Sequence, residues 1–430
     1  MNMFTSAEII LAVMVLTYIL ARVFKISTEL SMFAAALSGA LAGGAGFPVR
    51  HIVEGAFTYF DIILIFITAT LFMNLLKQSG GVAYVVRRIL IRFHKRKIIL
   101  FVLLTFLLLI PGALTGAGSV TVLIMGGMIS IVLDYMGLNR PKITAIIFIL
   151  AGLSAAAPPV SLWAMLTAAG INMPYVGFFL PLLFPCVALG LLTIFILGWK
   201  SKPVDLKKAL IELPEPPNEM NWLRIIFPFV AFFMLVIAGR IWPHSLPILG
   251  LPMMFMVSAG LSFLLSPKKL DFLKVSRDTI HQLLPLIGTL TCVGILVQIM
   301  TLTGVRGLIA ITTVTLPLTA VILTLPLVLP ASEAVLMWGA APVLGVPLVL
   351  LFNTIGLNPI VALAGMSLIW PLGDALPPTA IIGRLAKETV DMREPYSKML
   401  KYCIVPALII MAAGILMVIY SKKLSLLTML

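Results

Sequence analysis

Charged residues are scarce in this sequence, and acidic residues are rarer than basic ones. Only 11% of the 430 residues are Asp, Glu, Lys or Arg, whereas 61% are hydrophobic, and the mean hydropathy is +1.15. A soluble domain with so much apolar surface would aggregate, but a chain that buries this surface in lipid would not. We therefore expect an all-α polytopic membrane protein without a separate soluble domain.

Cysteine and histidine are also rare, and motifs for nucleotide binding or nucleophilic catalysis are missing. The three cysteines lie inside apolar segments, which argues against a disulfide framework and a metal site. Because the sequence has no Walker A loop and no nucleophile elbow, we expect a protein that is not an enzyme and has no cofactor, with Na⁺ as the possible exception. The cysteines and the four scattered histidines are Cys186, Cys292, Cys403, His51, His94, His244 and His281.

The formal net charge of +14 would suit nucleic-acid binding, but the positions of the basic residues argue against it. They lie in short loops between apolar runs, as they do in the cytoplasmic loops of membrane proteins. We therefore expect the lipid bilayer as a partner and no nucleic acid. The first apolar run, about 7–23, has no positive charge before it, so it is predicted to be a span and not a signal peptide.

Apolar runs near 20 residues recur along the chain, and each can cross about 30 Å of hydrocarbon. Two further blocks, 98–134 and 307–354, are too long for one crossing and are interrupted at Pro111-Gly112 and at Pro330 to Glu333. Each block is either two crossings or a re-entrant hairpin, and we predict hairpins because the middle of the first block is small and uncharged. The ten predicted spans are about 7–24, 30–48, 55–76, 141–172, 174–198, 221–241, 247–266, 280–301, 359–386 and 399–421.

The distribution of basic residues predicts the orientation. With the N-terminus outside and both blocks folded as hairpins, 25 of the 30 Lys and Arg residues fall inside. Charge alone does not separate hairpins from double crossings. We predict a bacterial or archaeal cell (inner) membrane with both termini outside. Residues 82–97 are predicted to form an amphipathic helix on the inner face, with a plain basic loop as the alternative.

The two halves of the sequence match at an offset of 219 residues. Pro111 falls on Pro330, Gly126 on Gly345, Gly137–Asn139 on Gly356–Asn358, and Pro158-Pro159 on Pro377-Pro378. In the predicted topology the two copies run in opposite directions. We therefore predict an inverted repeat of 1–198 and 221–430, joined by a cytoplasmic linker at 199–220. Secondary transporters are built in this way, although channels can also contain repeats.

The proline pairs Pro158-Pro159 and Pro377-Pro378 predict helix breaks, because proline lacks an N–H and clashes with the preceding turn. Freed carbonyls inside a membrane are tolerated where they line a polar cavity or bind a ligand, and the alternative is a simple kink. The predicted half-helix N-termini would attract an anion, and the freed carbonyls would suit Na⁺. These N-termini are expected near Val160 and Ser161, Thr379 and Ala380, Ser119 and Thr121, and Ala334.

Hydroxyl groups and carboxylates near these breaks form the predicted site. Carboxylates inside a membrane are usually functional, so Glu333 and Asp374 are expected to bind Na⁺ or a coupling proton. The alternatives are helix capping or pairing with Lys or Arg, and Asp61 is a weaker candidate. The predicted substrate-binding residues are Thr115, Ser119, Thr121, Ser161, Ser332 and Thr379, although hydroxyls also bond to their own helix. The predicted ion-coupling residues are Gly116, Ser154, Ala157, Glu333, Gly373 and Asp374.

The chain resembles the large membrane subunit of tripartite ATP-independent periplasmic (TRAP) transporters, in the ion transporter superfamily, over nearly its whole length. The shared pattern is a small, hydroxyl-rich stretch, a Gly turn and a broken helix, repeated once. The resemblance implies an elevator-type transporter with Na⁺ coupling, a carboxylate substrate, a small membrane subunit and a periplasmic solute-binding protein. The matching segments are 116–121, 137–139 and 156–159, then 342–345, 356–359 and 373–378.

We therefore expect a secondary active transporter of small organic anions such as C4-dicarboxylates, coupled to Na⁺ or H⁺. Ile369 stands where the family often has Asn, and Thr379-Ala380 follow the second proline pair in place of Val-Gly. A self-sufficient carrier of the same superfamily therefore stays open. A channel, which would need a continuous polar path, and a lipid-acting enzyme with Glu333 and Asp374 as acid and base also stay open.

Overall fold

The computed structural model describes residues 3–242 and 249–428, and all regular structure in these ranges is helical. His244 and the start of the predicted span 247–266 lie outside the described residues. In the first half the helices are α1 (Met3–Val23), α2 (Thr28–Ala42), α3 (Val49–Phe57), α4 (Phe60–Gln78), α5 (Gly81–Phe93), α6 (Lys97–Thr115), α7 (Gly118–Thr121), α8 (Gly127–Asp134), α9 (Arg140–Ala156), α10 (Leu162–Gly170) and α11 (Phe179–Gly198).

The second half has a similar order. Its helices are α12 (Leu206–Glu212), α13 (Trp222–Ile241), α14 (Leu251–Leu264), α15 (Phe272–Leu302), α16 (Val305–Thr315), α17 (Leu318–Leu336), α18 (Val346–Thr354), α19 (Pro359–Ile369), α20 (Ile381–Thr389) and α21 (Tyr396–Ile419). Shorter turns are π-helical at Val122–Gly126 and Ala341–Gly345, and 3₁₀-helical at Met337–Gly339, Trp370–Ala375 and Lys423–Thr428.

Seven helical stretches in the described residues are long and apolar enough to cross a membrane. Large apolar side chains such as Leu223, Met234, Leu323 and Leu408 are exposed on the outer faces, where lipid would cover them. The chain is therefore an all-helical, multi-pass membrane protein. The seven stretches are Val49–Gln78, Lys97–Thr115, Phe179–Gly198, Trp222–Gly239, Phe272–Leu302, Leu318–Gly339 and Tyr396–Ile419.

The first apolar block turns within its small, uncharged middle, 111–119, whereas the second block turns later than the sequence predicts. Pro111 and Pro330 lie inside α6 and α17, and the turns come at Gly116 (φ 66°) and Met337 (φ 52°). A proline removes one hydrogen bond, whereas ending the helix in apolar surroundings would leave several backbone groups without partners. The predicted half-helix N-terminus near Ala334 is therefore wrong, since Ala334 lies in the last turn of α17.

Two predicted boundaries also change. The predicted block 307–354 contains a separate helix, α16, which ends before Pro317, so the first arm of this block is α17. The predicted span 55–76 begins earlier, because α3 and α4 form one apolar stretch with a short break at Thr58 and Tyr59.

The first block turns back on itself. At its start, the Lys97 ammonium donates to the Ser201 carbonyl at 3.0 Å. Just after its end, the Lys202 amide donates to the Met136 carbonyl at 2.8 Å. Both ends of the block thus contact the same segment between the two halves of the chain. This segment also binds α5, because Arg87 donates to the carbonyls of Leu210 and Leu213.

The helix boundaries recur at the 219-residue offset seen in the sequence. The two π-helical turns, the helices α10 and α20, and the starts of α9 and α19 are each 219 positions apart. Asn139 and Asn358 cap α9 and α19 in the same way, by accepting hydrogen bonds from first-turn amides. The two halves therefore share one succession of elements around each break.

The halves interlock through their broken helices. Helix α20 packs against α9 and the first π-helical turn, while α10 packs against the second π-helical turn. The Ile382 side chain of α20 and the Ala151 carbonyl of α9 enclose Gly118 of the first block. The Thr167 hydroxyl of α10 donates to the Ala341 carbonyl at 3.3 Å. Both breaks and both apolar blocks thus belong to one central cluster.

Helices α19 and α21 touch through their backbones at Gly365 and Gly414. A Cβ atom at Gly414 would lie 2.6 Å from the Gly365 carbonyl oxygen. We predict that Gly414→Ala lowers the free energy of unfolding by about 1–3 kcal/mol, because such close helix contacts tolerate only the smallest residues. Thermal unfolding of detergent-purified protein measures this loss.

The matched control is Gly260→Ala in α14. Among the described residues, nothing lies within 4 Å of a Cβ atom added at Gly260. This control should unfold at the wild-type temperature or slightly above it. Equal losses in the two variants would contradict the close contact between α19 and α21.

Candidate functional site

The first break, between α9 and α10, is held by neighbouring elements. The Val160 amide donates to the Ala113 carbonyl of α6 at 2.9 Å. The Ser161 amide donates to the Tyr175 hydroxyl at 3.2 Å. The connecting segment therefore satisfies backbone groups inside the protein, as a chain within a membrane must.

Three of the predicted hydroxyl residues are engaged in internal hydrogen bonds. The hydroxyl oxygens of Thr121 and Ser154 are 2.8 Å apart, and Ser154 donates to the Ala151 carbonyl at 2.6 Å. Thr115 donates to the Pro111 carbonyl of its own helix at 2.8 Å. In this conformation the contact between Thr121 and Ser154 joins the first block to α9, while Thr115 bonds within α6, and their predicted roles in binding stay predictions.

The remaining predicted residues of the two breaks differ in exposure. Gly116 packs against the Phe66 ring, while Ser119 is half-buried at the start of the return arm. Ser332 is also half-buried and donates to the Leu329 carbonyl at 2.7 Å.

The predicted residues at the breaks themselves are buried to different extents. Ala157 ends α9 and is buried. Of the break prolines, Pro158 is buried, Pro159 is half-buried, and Pro377 and Pro378 are exposed.

The second break follows a tightened segment, because α19 continues as the 3₁₀ turn Trp370–Ala375. Side chains from other elements satisfy the carbonyls around it. Thr379 donates to the Ala334 carbonyl at 2.9 Å, and Tyr396 donates to the Ala375 carbonyl at 2.8 Å. Thr379 thus ties the break to the last turn of α17.

Glu333 and Asp374 meet at this junction. Asp374 follows Gly373, which packs directly on α17: a Cβ atom at Gly373 would lie 2.6 Å from the Glu333 Cβ and 2.2 Å from the Pro330 carbonyl oxygen. Both acidic residues have 0% exposed surface. Within the described residues, neither oxygen of either carboxyl group has a hydrogen-bond partner.

Two ionised carboxylates cannot remain in this position without compensation. A buried charge that lacks a partner costs several kcal/mol, and two like charges at short range also repel. Glu333 lies in the last turn of α17, where the negative end of the helix dipole adds to this cost. No ion pair in the described chain includes Glu333 or Asp374. The pair therefore needs a proton or a metal cation.

Trp163 borders the carboxyl pair and was missed from the sequence. It is the second residue of α10, fully buried, and its indole lies next to the Glu333 carboxyl without completing a hydrogen bond. The Trp163 N–H and the Ser161 hydroxyl both lack partners in the part of the chain that the structure describes. A tryptophan in an apolar run gives no signal by itself, but its position two residues after Ser161 would have placed it at the predicted half-helix N-terminus.

The N-termini of α10 and α20 lie directly after the two breaks. Their N-cap residues are Ser161 and Ala380, and neither makes a side-chain cap within the described residues. The first-turn N–H groups and the positive end of each helix dipole are therefore available to a ligand. Asp61, in contrast, is exposed in the first turn of α4 and is not part of this buried site.

The opposite ends of the same two helices are held by arginines from the other half of the chain. Arg306 of α16 donates to the Gly170 carbonyl at the end of α10 at 2.7 Å. Arg140 of α9 donates to the Val390 carbonyl after α20 at 2.6 Å. These cations compensate the negative dipole ends, so the positive ends remain to act at the site.

Metal ligation by side chains alone is not favoured here. No group of three or more His, Cys, Asp or Glu side chains in the described residues could hold a metal ion. A Na⁺ ion at the carboxyl pair would have to take backbone carbonyls as additional ligands.

Two solved transporter structures share this fold. The YdaH transporter of Alcanivorax borkumensis aligns with a TM-score of 0.56 over 86% of this chain and 87% of that chain, at 13% identity. MtrF of Neisseria gonorrhoeae, from a class of antimetabolite efflux pumps, aligns with a TM-score of 0.59 over 86% and 83%, also at 13% identity. No family model matches the sequence, and no curated protein is significantly similar to it. The likeness shows a shared membrane fold, and the resemblance to TRAP subunits stays a prediction.

The packing of Gly373 on Glu333 generates a prediction for the site. Gly373→Ala should push the 3₁₀ segment away from α17 and lower the free energy of unfolding by about 1–3 kcal/mol, because the clash involves backbone atoms. The measurement is thermal unfolding, compared with the control Gly307→Ala in α16. In the described chain, nothing lies within 4 Å of a Cβ atom at Gly307. Equal stability of the two variants would show that α17 and the 3₁₀ segment are not in close contact.

Proposed function

We propose that this protein is a secondary active transporter that moves a small organic anion together with a cation. The observation that carries the proposal is the buried carboxyl pair Glu333 and Asp374, which lies beside the N-terminus of α10 and takes part in no ion pair of the described residues. Two proteins with the same fold are transporters, which supports this class of function.

The electrostatics of the site support coupling between the cation and the anion. While both carboxyl groups are ionised, they repel an anionic solute. Binding of one Na⁺ or H⁺ leaves a single negative charge on the pair, so the repulsion weakens and the positive end of α10 can attract an anion. The cation and the solute therefore bind together, which is the arrangement of a symporter.

The mechanism that we propose is an elevator-type movement of the central cluster against the other helices. Helices outside the cluster pack against it and also bond to it: Lys77 of α4 donates to the Leu123 carbonyl at 2.7 Å, and Tyr18 of α1 donates to the Val335 carbonyl at 2.5 Å. Because Glu333 and Asp374 have no exposed surface, a solute reaches them only when these parts separate. In this proposal the two blocks are re-entrant hairpins of an inverted repeat with about ten spans, and both termini lie outside the cell (inner) membrane.

The substrate class and the partners follow from the resemblance to TRAP transporters. We propose C4-dicarboxylates and related acids as substrates, with a small membrane subunit and a periplasmic solute-binding protein as partners. A self-sufficient carrier is the alternative. A channel is less consistent with a fully buried polar centre, and a lipid-acting enzyme would need a lipid-accessible cleft beside two residues that have none of their surface exposed.

The test is uptake of labelled C4-dicarboxylates into liposomes that contain this chain alone, with an imposed Na⁺ gradient or an imposed proton gradient. Accumulation that follows one of the gradients supports a self-sufficient coupled carrier and identifies the cation. Uptake that appears only after addition of co-purifying subunits supports the tripartite system. Equilibration without accumulation under both gradients would contradict coupled transport and favour a passive pore.

Asp374→Asn should abolish gradient-driven accumulation, because the variant loses one of the two carboxyl groups that bind the cation. We expect a loss of at least about tenfold in initial rate, since removing one member of a coupled buried pair costs more than 1.4 kcal/mol. The matched control is Asp61→Asn, which changes an exposed carboxylate and should transport as wild type does. Unchanged Na⁺ or pH dependence in Asp374→Asn would remove this residue from the coupling site.

A further inference from the structure

The N-terminus of α10 has the features of a ligand subsite. We propose that the Ser161 hydroxyl and the Trp163 indole N–H bind a carboxylate of the solute, and that Glu333 occupies the same place whenever its own carboxyl is ionised. This inference rests on the proposed function, and it names the proton as the coupling ion and a carboxylate as the part of the solute that is bound here.

The first support is the set of hydrogen-bond donors without partners. Ser161 and Trp163 have 0% exposed surface. The Ser161 hydroxyl and the Trp163 N–H have no hydrogen-bond partner among the described residues. A buried donor without an acceptor costs about 1–3 kcal/mol, so two of them at one helix end are best explained by an acceptor that binds there. Helix α10 has nine residues, and its first-turn amides add to the same attraction.

The second support is the position of Glu333. Its carboxyl lies near both the Trp163 indole and Asp374, and Gly373 packs directly on the Glu333 Cβ. An ionised carboxylate can accept hydrogen bonds at both oxygens and would take the donors of α10. A protonated Glu333 has a proton to donate, and Asp374 is the nearby acceptor for it. Protonation thus moves the hydrogen bonding of Glu333 away from α10 and leaves the subsite to the solute.

The chemistry of these donors distinguishes H⁺ from Na⁺. The Trp163 N–H is a donor only and cannot ligate a metal cation, so of the two donors at the N-terminus of α10 only the Ser161 hydroxyl oxygen could contact Na⁺, whereas both can bind a carboxylate. The groups that surround Glu333 are few. Asp374 comes from the 3₁₀ segment and Trp163 from α10, while Tyr18 of α1 and Tyr396 of α21 already donate to the carbonyls of Val335 and Ala375. Arg384 of α20 is a cation near Tyr396, but it donates to the Pro378 carbonyl at 3.3 Å and forms no ion pair with Glu333 in the described residues, so an ionised Glu333 stays without a partner charge there.

The consequence is a positive linkage between the proton and the anion. A solute carboxylate displaces Glu333 only after Glu333 has bound a proton, so lowering the pH tightens solute binding. By reciprocity, bound solute favours proton uptake by the same factor. The direction of coupling is therefore symport.

The first experiment needs no substrate. The fluorescence of purified full-length protein is recorded from low to high pH, and the spectrum of Trp163→Phe is subtracted to isolate Trp163. We expect the wild-type difference spectrum to change with pH, because an ionised Glu333 would bond to the indole. Glu333→Gln should remove the change, and the control Asp61→Asn should keep it. A pH-independent wild-type spectrum would overturn the occupancy of the subsite by Glu333.

The second experiment measures equilibrium binding of labelled succinate to the same variants. Wild-type affinity should rise about tenfold for each pH unit of acidification above the titration of Glu333, as one linked proton requires. Glu333→Gln should bind succinate with little pH dependence. At low pH, where Glu333 is protonated, Trp163→Phe should bind about tenfold more weakly than wild type, because it loses one hydrogen bond to a charged group. The exposed Trp222→Phe is the matched control and should bind as wild type does.

The outcomes separate this inference from the proposed function. Succinate binding that is tight but independent of pH in wild type would overturn the competition with Glu333, while coupled transport could still hold through another group. Equal affinities of Trp163→Phe and Trp222→Phe would remove the indole from the subsite. Failure of succinate to bind wild type at any pH would overturn the carboxylate subsite, whereas the liposome uptake assay judges the transport function independently.

Discussion

Burial of two carboxyl groups without a countercharge in the described residues is the constraint on which the site depends. Glu333 sits at the negative end of α17, and Gly373 brings Asp374 up to it with no room for a side chain between them. An arrangement of this kind is unfavourable until a cation arrives. A carboxyl pair that is stable in a buried position only with a bound cation is well suited to couple an ion gradient to the movement of a solute.

The second feature that organises the molecule is the exchange of elements between its halves. Each broken helix packs against the apolar block of the other half, and each half-helix ends on an arginine from the other half. The two breaks can therefore not move independently. Any movement that exposes the carboxyl pair has to carry both blocks and both broken helices together, which is why we propose that the central cluster moves as one unit.

The shared fold with two solved transporters defines the architecture, but function is decided by the residues at the site. Here those residues are two carboxyl groups, an indole and a serine hydroxyl around a helix N-terminus. Their chemistry combines a place for a cation with donors for an anion within one buried cluster. Uptake and binding measurements on the chain itself are therefore more informative about the substrate than fold similarity.

Local features of this protein are determined by the sequence alone. Hydropathy predicts the membrane class. The proline pairs predict the breaks before α10 and α20, and Asn139 and Asn358 precede the helices that they cap. These features can be predicted because proline and capping residues act on the backbone within a few residues. Tertiary structure decided that Pro111 and Pro330 lie inside helices and do not end them. It also placed Glu333 beside Asp374 and Trp163. The internal hydrogen bonds of Thr115 and Ser154 are a third outcome of this kind. These outcomes depend on contacts between residues far apart in the chain, which packing of the whole bundle selects and local pattern does not encode.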